Sequence, residues 1–103
     1  MSKKSTYIPK AEQQHLDRVA ALCCIACRNT GLGDTPAEIH HCSAGTGLSV
    51  RADNYRTIPL CPIHHRQGGY GVAIHAGRRT WERNYGTEQE LLTQVRRELG
   101  ELA

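Results

Sequence analysis

The sequence predicts a small α+β domain stapled by a zinc knuckle, with helices flanking a central pair of strands. Three observations carry that prediction. Apolar residues recur at helical spacing near both ends, two short β-favouring segments lie in the middle, and the motif CCIAC is answered later by CPIHH. The chain has 103 residues, so it holds one domain at most. The reading is a loose polar tail over residues 1–9 and a single domain over residues 10–103 that ends in a helix.

The elements follow in order. AEQQHLDRVAALC, from Ala11, reads as a helix whose Leu16, Val19, Ala20 and Cys23 share one side, with His15 on its solvated face. CRNTGLGDTP is dense in turn formers and reads as a loop. AEIHHC is a strand candidate, SAGTGLSVRADN a glycine-bearing loop, and YRTIPLC the partner strand, with Pro59 marking its exit or an edge. PIHHRQ opens a helix with Pro62 in the first helical position, and QGGYG ends it. RTWERNYG reads as one or two helical turns closed by Gly86. Thr87 and Glu90 have the form of a capping box that opens the last helix, whose Leu91, Leu92, Val95, Leu99 and Leu102 make a core-facing stripe.

The apolar inventory explains why a staple is needed. The chain has no Phe, one Met and one Trp, and five of its apolar residues are Cys. So few large side chains support a small core poorly, and a metal or disulfides must add to it. The N-terminal stretch MSKKSTYIPK is polar and no run approaches membrane-spanning length, so a cytoplasmic location is expected. Thiols stay reduced there, and clustered Cys point to zinc. The net charge of +3 and pI of about 8.7 permit a nucleic-acid partner without demanding one.

In CCIAC, two Cys with two residues between them can put both sulfurs on one ion, and Cys61 with a neighbouring His lies about 34 residues on. Cys24, Cys27, Cys61 and His64 would form a closed structural site of three thiolates and one imidazole. Cys23 could stand in for Cys24, although it reads as buried on the first helix. Buried free thiols or a redox CxxC are the other readings, the latter lacking a βαβ context. Cys42 reads as a small buried hydrophobe on its strand, with an extra ligand as the alternative.

Four His lie in two adjacent pairs, His40–His41 and His64–His65, and His75 follows ten residues later. Near a strand end, adjacent imidazoles can flank one site, one binding a cation while the other activates water. Phosphodiester hydrolysis needs those two parts, and free imidazole titrates in the range a general base requires. The bland alternative is that all these rings serve structural zinc.

AEIHHC, the glycine-rich loop and DNYRTIPLCPIHH together resemble the core of HNH, or ββα-metal (His-Me finger), nucleases. More narrowly, CCIAC, EIHH, TIPLCPIHH and IHAGRRTWERNYGTE resemble the phage HNH proteins related to the recombination-enhancement (Ref-like) nuclease, over about Cys23 to Leu92. The resemblance implies a hairpin and helix that grip a catalytic divalent metal (Mg²⁺, Mn²⁺ or Zn²⁺) and cleave DNA. It implies His41 as general base, His40 and His65 as metal ligands, and His75 as a third ligand or a helix-packing residue. The family's middle Asn position falls on Asn54 in the general pattern and on Asp53 in the phage form. The second knuckle reads CPIH where CPKC is common, which leaves open whether His64 or His65 faces the structural zinc.

Arg51, Arg56, Arg66, Arg78 and Arg79 lie near these motifs and suit bidentate contacts with DNA phosphates; Arg18, Arg28, Arg96 and Arg97 read as solvated. Trp81 reads as a core anchor rather than a base-stacking ring. No base-reading module stands out, so low sequence specificity is expected. The Ref-like relatives depend on a recombinase filament for targeting, and the resemblance raises such a filament as a partner here. The expected function is thus a metal-dependent DNA endonuclease in phage or prophage recombination. The competing readings are a non-catalytic zinc module that binds DNA or protein, and a thiol oxidoreductase.

Overall fold

A two-stranded antiparallel sheet sits among helices in the computed structural model, which describes residues 7–43 and 53–101. The elements are α1 (Lys10–Ala21), α2 (Ile25–Asn29), β1 (Glu38–His41), β2 (Thr57–Leu60), a π-helical turn (Ile63–Gln67), a 3₁₀ turn (Ile74–Ala76), α3 (Arg78–Tyr85) and α4 (Glu88–Glu98). This is the expected α+β class. Residues 1–6 of the expected tail, Arg51 and Leu102 lie outside the described residues.

The register pairs Glu38 with Leu60, Ile39 with Pro59, His40 with Ile58 and His41 with Thr57. Every residue of β2 is buried, because α1, α2 and α4 all pack against it. Pro59 therefore stands inside the strand, not at its exit. A two-stranded sheet tolerates this because each strand has one unpaired edge that needs no N–H.

The core gathers Val19, Ile25, Ile58, Leu60, Ile74, Leu91, Leu92 and Val95 around a wholly buried Trp81. The Trp81 indole N–H donates to the Val72 carbonyl at 3.0 Å, so burial leaves no unpaired donor there. Of the expected stripe, Leu91, Leu92 and Val95 are buried and Leu99, the C-cap, is half-buried, and the Thr87–Glu90 capping box forms at the start of α4. Gly86, with φ of 112°, closes α3, a conformation that favours glycine.

Several local expectations are corrected. His15 is buried on α1, its Nδ1 3.5 Å from Glu101 Oε2 and its ring 4.9 Å from that of Tyr55. A helical surface pattern could not reveal the C-terminal segment that folds over it. Cys23 is not on the helix: α1 ends at Ala21, and Cys23 turns the chain with φ of 67°. Arg28 is not solvated; it forms a bidentate pair with Glu98 at 2.8 and 3.0 Å, docking α2 on α4. PIHHRQ is helical where expected, but its turn, Ile63–Gln67, is π-helical and Pro62 is its N-cap rather than its first residue.

Candidate active site

The cysteine knuckle forms where α1 stops. The positive φ of Cys23 reverses the chain, and Cys24 then caps α2, its Sγ accepting from the Cys27 amide at 3.4 Å. Cys61 arrives from the end of β2, and His64 from the π-helical turn. All four side chains are buried, and their ligand atoms lie within 4.8 Å of one another. The Cys27 and Cys61 sulfurs are 3.8 Å apart, and His64 Nδ1 lies 3.6, 3.4 and 3.3 Å from Cys24, Cys27 and Cys61.

Around tetrahedral zinc with bonds of about 2.3 Å to sulfur and about 2.0 Å to nitrogen, two sulfurs stand about 3.8 Å apart, and sulfur and nitrogen about 3.5 Å. The cluster has those dimensions and could hold a structural zinc. Burial pushes the Cys24 thiol up to about 12, so a thiolate there calls for a cation beside it. Burial also lowers His64, which keeps its imidazole neutral and fit to ligate. His64, not His65, therefore faces the sulfurs. Cys42 stays outside the cluster as a buried side chain; burial pushes its thiol up to about 12 as well. All five cysteines, each among the described residues, are free.

A second cluster lies on the other side of the same turn. Successive residues of a helical turn point in widely different directions around its axis. His64 thus looks into the cysteine site while His65 meets His40 and His75. The ligand atoms of these three imidazoles fall within 4.8 Å of one another, and the Nε2 atoms of His65 and His75 are 3.0 Å apart. Adjacent ligands of an octahedral ion bound at about 2.1 Å stand about 3 Å apart, so the spacing fits cis ligation.

Two of the rings are backed by carboxylates. His40 Nε2 is 2.7 Å from Glu88 Oε2, and His65 Nδ1 is 2.6 Å from Glu38 Oε1. Each contact engages one ring nitrogen, leaving Nδ1 of His40 and Nε2 of His65 for a metal. Such backing orients a ligating imidazole and raises its basicity. Glu38 also receives two bonds from Arg66, whose guanidinium, with His65, holds the carboxyl at about 2. Burial pushes Glu88 up, but hydrogen bonds from His40 and Ser43 outweigh it and hold this carboxyl at about 2. Both acids are thus charged partners for the rings.

His41 stands apart from that cluster. It is exposed, and its Nε2 lies 2.9 Å from Asn54 Oδ1. Among the described residues its Nδ1 has no hydrogen-bond partner. Asn54 in turn donates from Nδ2 to Glu12 Oε1 at 2.9 Å. Asp53 Oδ1 accepts from the Tyr55 amide at 2.8 Å, in the turn before β2. Of the two candidates for the middle position, Asn54 is the one that touches His41.

His40, His41, His75, Ser43, Arg78 and Glu88 line one cavity of about 370 Å³, floored by Ile74–Gly77. Of the five arginines proposed for DNA, Arg78 is in this lining, at the start of α3. Arg79 lines a separate cavity with Glu82, Arg83 and Thr87. Arg66 is engaged by Glu38, Arg56 lies on the turn before β2, and Arg51 is outside the described residues.

Sequence reasoning missed Glu38, Glu88 and Glu12. Glu38 left a signal, since it lies two residues before His40 and therefore on the same face of β1. Glu88 and Glu12 left none, because each reaches the site from a helix remote in sequence. Among the described residues, no helix is long and apolar enough to cross a membrane.

A sequence model of the family described as recombination enhancement, RecA-dependent nuclease, matches residues 9–100. No match was found among curated proteins.

Proposed function

Because the chain belongs to the recombination-enhancement, RecA-dependent nuclease family, and is thereby a nuclease, we propose that it is an HNH-type, metal-dependent DNA endonuclease with His41 as general base. One observation carries this reading. Three imidazoles converge within 4.8 Å, two of them backed by carboxylates, while a fourth, His41, opens into the cavity that His40 and His75 line, with a ring nitrogen to spare.

His40, His65 and His75 would hold a divalent ion, which when bound neutralises charge on the phosphate and on the leaving oxygen. Asn54 orients the His41 ring. His41 Nδ1 takes a proton from water as the water oxygen attacks phosphorus, and the bond to the 3′ oxygen breaks. Arg78 would bind a phosphate at the cavity rim. Cys24, Cys27, Cys61 and His64, closed and buried, would bind zinc for stability and leave no open position for chemistry. With no base-reading element, DNA affinity would come from phosphates and fall with salt. The family description supports a recombination setting with a RecA-type filament as partner.

The test is nicking of single-stranded and duplex DNA by the metal-loaded protein with Mg²⁺, Mn²⁺ or Zn²⁺, alone and with a RecA filament. His41→Ala should lose about 10²- to 10⁴-fold in rate. Equal nicking by wild type and variant would sink the assignment, and binding of DNA without cleavage would leave a zinc-stabilised binding module.

A further inference from the structure

Glu12 is joined to the proposed base through one side chain. Its Oε1 accepts from Asn54 Nδ2 at 2.9 Å, and Asn54 Oδ1 faces His41 Nε2 at 2.9 Å. The Asn54 backbone is fixed independently, by the Asp53 turn and by Thr57 Oγ1, which donates to the Asn54 carbonyl at 3.0 Å. Only the orientation of the amide about its last torsion is left to decide.

A carboxylate has acceptors and no donors, so it selects the NH₂ end of the amide. The carbonyl end must then face His41. A carbonyl has no donor either, so the ring nitrogen opposite it must carry the proton. In a neutral imidazole that leaves Nδ1 with the lone pair. From this chain of constraints we infer that Glu12, on the first turn of α1, is a positioning residue that sets the tautomer of His41. The inference deepens the proposed nuclease mechanism and rests on it for its catalytic consequence.

A structural role for Glu12 is a real alternative, since an acid in a first helical turn is favourable in any case. Three variants separate the two. Glu12→Gln keeps an acceptor but adds a donor, so it no longer dictates which end of the Asn54 amide it meets, and kcat should fall to between wild type and Glu12→Leu. Glu12→Leu releases the amide, and kcat should fall about fivefold, the worth of one ordinary hydrogen bond. Glu12→Lys offers only donors. It should turn the amide over, present NH₂ to His41 and move the ring proton to Nδ1, lowering kcat about 100-fold or more while KM for DNA holds.

Long-range ¹H–¹⁵N correlation spectra of the zinc-loaded protein, with the His41 signals assigned by His41→Ala, read the tautomer without reference to activity. Protonated Nε2 in wild type, and protonated Nδ1 in Glu12→Lys, are the expected results. Wild-type His41 protonated at Nδ1, or a Glu12→Lys protein with the wild-type tautomer, would overturn the inference. A tautomer that switches as expected in a protein that cuts no DNA would sustain the Glu12 role and remove the nuclease reading instead.

Discussion

Glu88 Oε2 lies 2.7 Å from His40 Nε2 across 48 residues of sequence, and both side chains are buried. The carboxylate also accepts from the Ser43 amide and hydroxyl at 3.0 and 2.9 Å. One acid at the start of α4 therefore orients an imidazole at the end of β1 and ties down the chain that follows it. Glu88→Gln keeps the shape and removes the charge. Metal affinity of the His40/His65/His75 cluster should fall about 10- to 100-fold, and Glu38→Gln should act likewise through His65. Titration with Mn²⁺, with the cysteine site preloaded with zinc, measures this; unchanged affinity in both variants would argue that the imidazoles bind no ion.

Asn54 and Asp53 should part company under mutation. Asn54→Ala unfastens the His41 ring and should lower kcat by about an order of magnitude or more. Asp53→Ala removes a turn hydrogen bond worth about 1 kcal/mol. It should appear in thermal melts and leave kcat within about twofold of wild type, in single-turnover nicking assays.

The cysteine cluster should govern folding. Structural zinc in small domains binds with about 10–16 kcal/mol of apparent free energy, comparable with the whole stability of a domain. Strong chelation, or Cys27→Ser, should abolish cooperative unfolding seen by circular dichroism, with about one zinc released per chain. Cys42→Ala should release none. A protein that folds cooperatively without metal would refute this role.

The Arg28–Glu98 pair makes a pH prediction. The hydrogen bonds from Arg28 hold Glu98 below its ordinary value of 4.5. A depressed acid contributes stability that is fully present above its unfolded pKa, and loses it as pH falls through the folded one. Denaturant melts should therefore show a contribution of about 1 kcal/mol from this pair above roughly pH 5, declining below pH 4.5. Glu98→Gln should flatten that decline, and an unchanged slope would count against the pair.

Arg78 and Arg66 should differ in DNA binding. Arg78 lines the cavity with only long ion pairs to Glu82 and Glu88, at 3.6 and 4.0 Å, whereas the Arg66 guanidinium is engaged by Glu38 at 2.7 and 3.1 Å. Arg78→Ala should weaken binding across sequences and reduce the slope of log K against log salt by about 1. Arg66→Ala should leave that slope unchanged. Fluorescence anisotropy over a salt series compares them, and equal slopes for all three proteins would remove Arg78 from the interface.

Much of the fold was legible in the chain. Periodicity marked α4, and Thr87 with Glu90 marked its start. The β-favouring runs marked both strands, and Gly86 marked the end of α3. The misreadings have specific causes. Cys23 continues the helical pattern of α1, yet knuckle geometry ends the helix before it. The π-helical turn at Ile63–Gln67 looks like any helix start in sequence, because its wider hydrogen bonding leaves no mark on residue type. His15 and Arg28 look solvated because their partners, Glu101 and Glu98, come from the far end of the chain.

Residue type and local spacing were enough to nominate the chemistry. Thiols two residues apart, a distant Cys with His, and paired imidazoles can be read from the chain because ligand identity and short-range geometry are local properties. The assignment of each group was not local. That His64 turns to the sulfurs and His65 to the other imidazoles, that Glu88 and Glu38 back the rings, and that Glu12 reaches His41 through Asn54 all depend on helices packing onto β1 and β2. Hydrogen bonds act over about 3 Å of space whatever the separation along the chain, so only the folded arrangement could decide them.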